Sequence, residues 1–163
     1  MKITNIQTQN FKGAIFIRNK SALKRELEKC EPQYAAAINE NLNALKKAVK
    51  NSTPRGNVYD LDVKIAAVNI STQVKINNRH YPVFHDSETC MLEVKQQLPR
   101  PYNKRGLNLW KNILLKDINR EQTPKGHRIT KESSYRAQRE DIDKAFEEVA
   151  TSIVQNSRLD RRF

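Results

Sequence analysis

Between Asn57 and Asp86 the chain reads NVYDLDVKIAAVNISTQVKINNRHYPVFHD, and apolar and polar residues alternate along it. Tyr59, Leu61, Val63 and Ile65 fall on one side, with Asp60, Asp62 and Lys64 between them. After the short apolar run Ala66 to Val68, residues Ile70, Thr72, Val74 and Ile76 share a parity. Alternation of this kind marks strands half-buried against a core. Asparagine tolerates positive φ, so Asn77-Asn78 predicts a tight hairpin turn, and Arg79 to Phe84 resumes extended character.

Elsewhere the period lengthens to that of a helix. Leu23 and Leu27 predict a short charged helix over Ala22 to Cys30, with Ser21 as its N-cap. Tyr34, Ile38, Leu42, Leu45 and Val49 follow at spacings of 4, 4, 3 and 4, predicting a helix near 33–50. The run Asn51 to Gly56 ends it. Leu109, Trp110, Ile113, Leu114 and Ile118 predict a helix near 107–119. Ile142, Phe146, Val149 and Ile153 predict a last helix near 134–156. Residues 86–98 fit either a helix or a strand. The stretch Met1 to Ile17 predicts one or two strands, with Gly13 at a bulge or bend. The expected fold is therefore a single α+β domain over 1–163. In it an antiparallel β-meander, made of the N-terminal strands and residues 57–84, packs against three or four helices. A basic, proline-containing linker is expected at 99–106 and a frayed tail at 157–163.

Charge changes this picture. The formal net charge is +12, from 30 basic and 18 acidic residues. It is concentrated in two blocks, +7 over residues 1–56 and +8 over 99–139, whereas 57–98 carries −1 and 140–163 carries −2. A field of this sign favours polyanionic partners: nucleic acid, an anionic membrane surface or an acidic protein surface. Phosphate contacts need cations presented on one surface, and aromatic side chains beside them stack on unpaired bases. Arg100, Lys104, Arg105, Lys111, Lys125, Arg128, Lys131 and Arg136, with Tyr102 and Tyr135 among them, are the candidate contacts. No helix-turn-helix, zinc-finger, RRM or KH signature accompanies them. A nonenzymatic basic protein that contacts nucleic acid or another polyanion is the first expectation. A structural or protein-interaction component, for instance of a phage particle or larger assembly, is the second. The apolar stripe of the 33–50 helix or of the 134–156 helix can also form a homodimer surface.

Chemistry-bearing motifs are sparse. HYPVFHDSETC gathers His80, His85, Asp86 and Cys90, the elements of a Cys-His nucleophile or a zinc site. Its His-x4-His-x4-Cys spacing matches neither, and a thiol in a Cys-Met-Leu run reads first as core. No metal ligand, cofactor site or catalytic residue is assigned. Four scattered glycines exclude a dinucleotide fingerprint or phosphate loop. Two cysteines, no secretory apolar segment after Met1 and no apolar run near 20 residues predict free thiols, no membrane span and a cytoplasmic setting.

Two short stretches carry family resemblances. MKITNIQTQNFKG is similar to the first strand of the RecF and SMC family ATPases, which implies a glycine-rich phosphate loop downstream. The continuation AIFIRNKSALKREL lacks one, so no ATPase is expected. Asp60, Asp62 and Lys64 resemble the (D/E)-x-K signature of metal-dependent nucleases, which implies carboxylates on magnesium and a lysine beside the attacking group. That family also needs an earlier strand or turn acid, and the nearest acid upstream is Glu40 on a predicted helix.

Overall fold

The computed structural model describes residues 12–98, 106–123, 126–129 and 134–160. Nine elements follow in order: β1 (Ala14–Ile17), α1 (Lys20–Lys29), α2 (Pro32–Ser52), β2 (Val58–Ile76), β3 (Arg79–Gln97), β4 (Asn108–Thr123), β5 (Gly126–Ile129), β6 (Tyr135–Arg136) and α3 (Arg139–Asp160). The strands form a six-stranded sheet in the order β1-β2-β3-β4-β5, with β6 also paired to β4.

Two expectations about the fold are overturned. The sheet is mixed, because β1 runs parallel to β2 from Ala14↔Val58 to Ile17↔Leu61. The expected all-antiparallel meander is instead one long hairpin flanked by other strands. The predicted helix near 107–119 is strand β4, paired antiparallel to β3 from Lys95↔Asn108 to Val83↔Glu121. The described residues thus hold three helices. The ambiguous stretch 86–98 belongs to β3, which runs to Gln97. The N-terminal strands expected before Lys12, and the linker residues 99–105, lie outside the described residues. The tail expected to fray from 157 is helical to Asp160, and Ser157 is buried.

Local chemistry explains the helices. Pro32 opens α2 at a position where its missing N–H is not needed. Tyr34, Ala37, Ile38, Leu42, Leu45 and Val49 form its buried stripe. At its end the Thr53 N–H and hydroxyl both donate to the Val49 carbonyl, at 3.0 and 2.5 Å. Helix α3 is capped by Asp141, whose carboxylate accepts the Gln138 N–H at 2.8 Å. Glu140 and Asp141 also place negative charge at the positive end of the helix dipole. Its buried stripe is Ile142, Ala145, Phe146, Val149 and Ile153.

Helices cover one face of the sheet only. Ile15, Tyr59, Leu61, Val63, Cys90, Leu92, Val94, Ile113 and Leu115 meet the helix stripes in one core. Each such side chain contributes about 1.5–3 kcal/mol relative to leaving it in water. The stripes of α2 and α3 are used in this core, which argues against either as a homodimer surface. Asn41 ties the helices together by donating to Asp143 at 2.7 Å, and Arg139 bridges Glu40 and Asp143.

The hairpin outruns this core. Its strands have 19 residues each and pair without interruption from Val58↔Gln97 to Ile76↔Arg79. At about 3.3 Å per residue each is roughly 60 Å long. Asn77 and Asn78 close it with φ of 51° and 64°, the left-handed pair that a two-residue turn requires. From Ala66 outward the hairpin is an arm: β2 is exposed from Ala66 to Lys75, the helical layer reaches β3 only as far as Glu88, which accepts from Cys30, and beyond that β3 is braced by β4, itself paired to β5.

Candidate functional site

The arm has two unusual properties, both on β2. The first is a change of face. In the base, Tyr59, Leu61 and Val63 point to the helices and are buried. In the arm, Val68, Ile70 and Val74 have the opposite parity, so they point to the face without helices, and are 48%, 53% and 44% exposed. Residues of that parity nearer the base include Asp60, Asp62 and Lys64, which are polar. The strand thus turns apolar on the bare face where it leaves the core.

The second property is an open edge. The outward-facing backbone groups of β2 belong to odd-numbered residues. Near the base the chain satisfies them in succession. The Arg18 N–H donates to the Leu61 carbonyl at 2.8 Å. The Asn19 side-chain amide then takes both groups of Val63, accepting from its N–H at 3.1 Å and donating to its carbonyl at 2.6 Å. The Glu26 carboxylate accepts the Ile65 N–H at 2.9 Å. Beyond Ile65 no strand among the described residues lies on that side. All ten residues from Ala66 to Lys75 are exposed. Unpaired edges of this length are normally blunted by charge, proline or a bulge, and this one carries a single charge, Lys75.

The candidate chemical groups do not converge. Strand alternation puts His85 on the bare face, and His80, Asp86 and Cys90 on the other. His85 Nε2 lies 2.9 Å from Asp117 Oδ1, and its other ring nitrogen meets Asn119. Burial pushes the Cys90 thiol up to about 12. Burial and a hydrogen bond donated to Glu88 at 3.1 Å push Cys30 to about 12 as well. Both thiols are therefore protonated near neutrality, the reverse of an activated nucleophile. Asp60 is occupied by Arg18, at 2.7 and 2.8 Å, and by Gln97 at 2.7 Å. Burial pushes its pKa up, but these donors outweigh it and hold the carboxyl below its ordinary range. Among the described residues no group of three or more His, Cys, Asp or Glu is placed to hold a metal ion.

Among the described side chains of the basic block, Lys111, Lys116 and Arg120 have partners within the protein. Lys111 pairs with Glu148 of α3. Lys116 lies 3.9 Å from Glu31. Arg120 lies 2.7 Å from Asp86 and 5.4 Å from the centre of the Phe84 ring. Arg136 is exposed on β6. Arg100, Lys104, Arg105, Lys125 and Lys131 lie outside the described residues, and Arg128 is described only as backbone in β5. A different basic feature was missed from the sequence. Lys20, Lys24 and Lys46, with Asn39, Asn43 and one acid, Glu28, line a groove of about 460 Å³ between α1 and α2, floored by Leu23, Leu27 and Leu42. Its residues come from two helices, so no linear spacing announces it.

No helix among the described residues is long and apolar enough to cross a membrane. No protein-family profile matches the chain, and no curated protein matches it in sequence.

Proposed function

We propose that the protein is a nonenzymatic assembly component that docks onto protein through the β2 edge of its arm. The observation that carries this reading is the change of face at Ala66. A strand that only needed solubility would keep polar residues on the bare face, as β2 does at Asp60, Asp62 and Lys64. Instead the arm presents β-branched residues beside free backbone donors and acceptors, the two ingredients of strand addition. Hydrogen exchange tests it. In the assembled state the amides of Ala67, Asn69, Ser71, Gln73 and Lys75 are expected to be protected. Free exchange at all five in the assembled state refutes the reading.

A second reading is polyanion binding, favoured by the α1–α2 groove. Lys20, Lys24 and Lys46 converge there with one carboxylate, Glu28, on the same lining, and among the described residues none of the three is ion-paired as Lys111 and Lys116 are. The wider basic block, including Arg100, Lys104, Arg105, Lys125, Arg128, Lys131 and Arg136, extends this reading to nucleic acid. Its signature is affinity for mixed-sequence DNA or RNA that falls steeply with salt and is lost when the three groove lysines are reversed to glutamate.

A further inference from the structure

We infer that the partner on the arm edge is a second copy of this chain, paired β2 to β2 antiparallel about a two-fold axis at Ser71. This rests on the reading of the arm as a docking element and adds the identity of the partner.

Two independent observations select Ser71. The first is the extent of the open edge. Glu26 closes it at Ile65, and the Asn77-Asn78 turn ends the strand at Ile76. The free stretch is therefore 66–76, and its midpoint is residue 71. Two such edges overlap fully only when Ser71 faces Ser71 of the partner. In that register each copy's turn arrives where Glu26 and Asn19 already hold the other's edge, so pairing stops where the edge stops being free.

The second observation is the sequence about that midpoint. Stepping outward from Ser71, Ile70 is matched with Thr72, Asn69 with Gln73 and Val68 with Val74. A two-fold axis brings each residue against its match on the other copy, which is the self-complementarity an isologous interface needs. Val68 meets Val74 and Ile70 meets Thr72 on the bare face, pairs that suit a pleated surface. On the other face Asn69 meets Gln73. Asn69 already donates to Asp86, which leaves its oxygen to accept from the glutamine amide. The one charge, Lys75, lies opposite Ala67. The two Lys75 residues are eight positions apart along the seam, about 26 Å, well beyond the screening length of about 10 Å. Odd residues face outward in both copies, so Ser71 exchanges two backbone hydrogen bonds with its mate, and so does every odd pair along the seam.

Sedimentation equilibrium of the purified chain over a roughly hundredfold concentration range tests this, because self-association depends on concentration. The expected result is a species of twice the monomer mass. Ser71→Pro removes an N–H that the hairpin does not use, at an edge position where proline is tolerated. By symmetry it deletes two hydrogen bonds and should weaken dimerisation by about 30-fold or more, with an unchanged circular dichroism spectrum. Under oxidising conditions Ser71→Cys should form a crosslinked dimer, because paired Cα atoms about 5.5 Å apart suit a disulfide. Lys64→Cys should not crosslink. A monomer at every concentration overturns the inference, as does a dimer that tolerates Ser71→Pro and leaves Ser71→Cys uncrosslinked. If the chain is monomeric but its edge amides are protected in the assembled state, a foreign strand occupies the arm and the docking reading stands. If they are unprotected there too, both fall.

Discussion

Replacing Asn19 by alanine isolates how the base of β2 is kept closed. Its side-chain amide imitates a strand residue, pairing with both backbone groups of Val63 at 3.1 and 2.6 Å where β1 has ended. Each such bond contributes about 1 kcal/mol net, and leaving a partly buried group unpaired costs about 1–3 kcal/mol. Asn19→Ala is therefore expected to destabilise the protein by about 1–3 kcal/mol, read as a fall in the urea midpoint at constant slope. Asn19→Asp retains the acceptor for the Val63 N–H but sets a carboxylate against the Val63 carbonyl. It should destabilise at least as much while keeping the Val63 amide protected, whereas alanine should accelerate its exchange. Asn19 forms no side-chain cap on α1, so loss of a helix cap cannot imitate these effects. A change below about 0.5 kcal/mol in Asn19→Ala, within the range of an ordinary surface substitution, with Val63 exchange unaltered, would refute the argument.

Two further predictions concern stability. Gly13→Ala would place a methyl group 1.7 Å from Thr53 Oγ1 and 3.2 Å from the Val49 carbonyl, so a loss of about 1–3 kcal/mol is expected. Thr53→Ala in that background should recover part of it, and an additive double-mutant cycle would count against the clash. The pH profile should fall at both ends. Hydrogen bonds from Asn41 and Arg139 hold Asp143 below the carboxylate range, and Lys111 does the same for Glu148. Their contribution is present above about pH 4 and lost as pH falls through the depressed folded values. Cys30 and Cys90, raised to about 12, contribute stability that is full below about pH 8.5 and lost as pH rises toward 12. Thermal midpoints measured across pH check both limbs, and a midpoint that keeps rising above pH 9 contradicts the alkaline one.

The helices α2 and α3 were legible because each presents one unbroken apolar stripe to one core. Strand β4 was not, and the reason lies in its bulge. Leu109 and Ile113 face the helices, and Trp110 and Leu114 face the bare side. The register then shifts between Thr89↔Leu114 and Glu88↔Lys116, inserting buried Leu115 and bringing Ile118 onto the helix side. Apolar residues on both faces plus one extra residue produce spacings of 1, 3, 1 and 4, which imitate a helix. The parallel pairing of β1 was hidden for another reason, since four residues carry no signal of strand direction. On β2 both apolar sets were visible, but that they face opposite sides of one unbroken strand follows only from the continuous pairing with β3. The edge closure was illegible because Asn19 and Glu26 act across 44 and 39 residues.

The uninterrupted ladder between β2 and β3 has a consequence for how the molecule opens. At Val58↔Gln97 the paired residues sit on the helical core, whereas at Ile76↔Arg79 only the turn and the adjoining pairs hold them. Local opening free energies should therefore grade along a single strand, from near the global value at Leu61 to a small fraction of it beside the turn. Fraying from the tip exposes little apolar surface that was covered before, so it can proceed without cooperative loss of the base. The same gradient separates two kinds of mutational tolerance. Residues 59–65 are constrained by what the helices accept, whereas residues 66–75 are exposed and free of that constraint. Substitutions in the arm can therefore accumulate while the fold beneath it stays as it is.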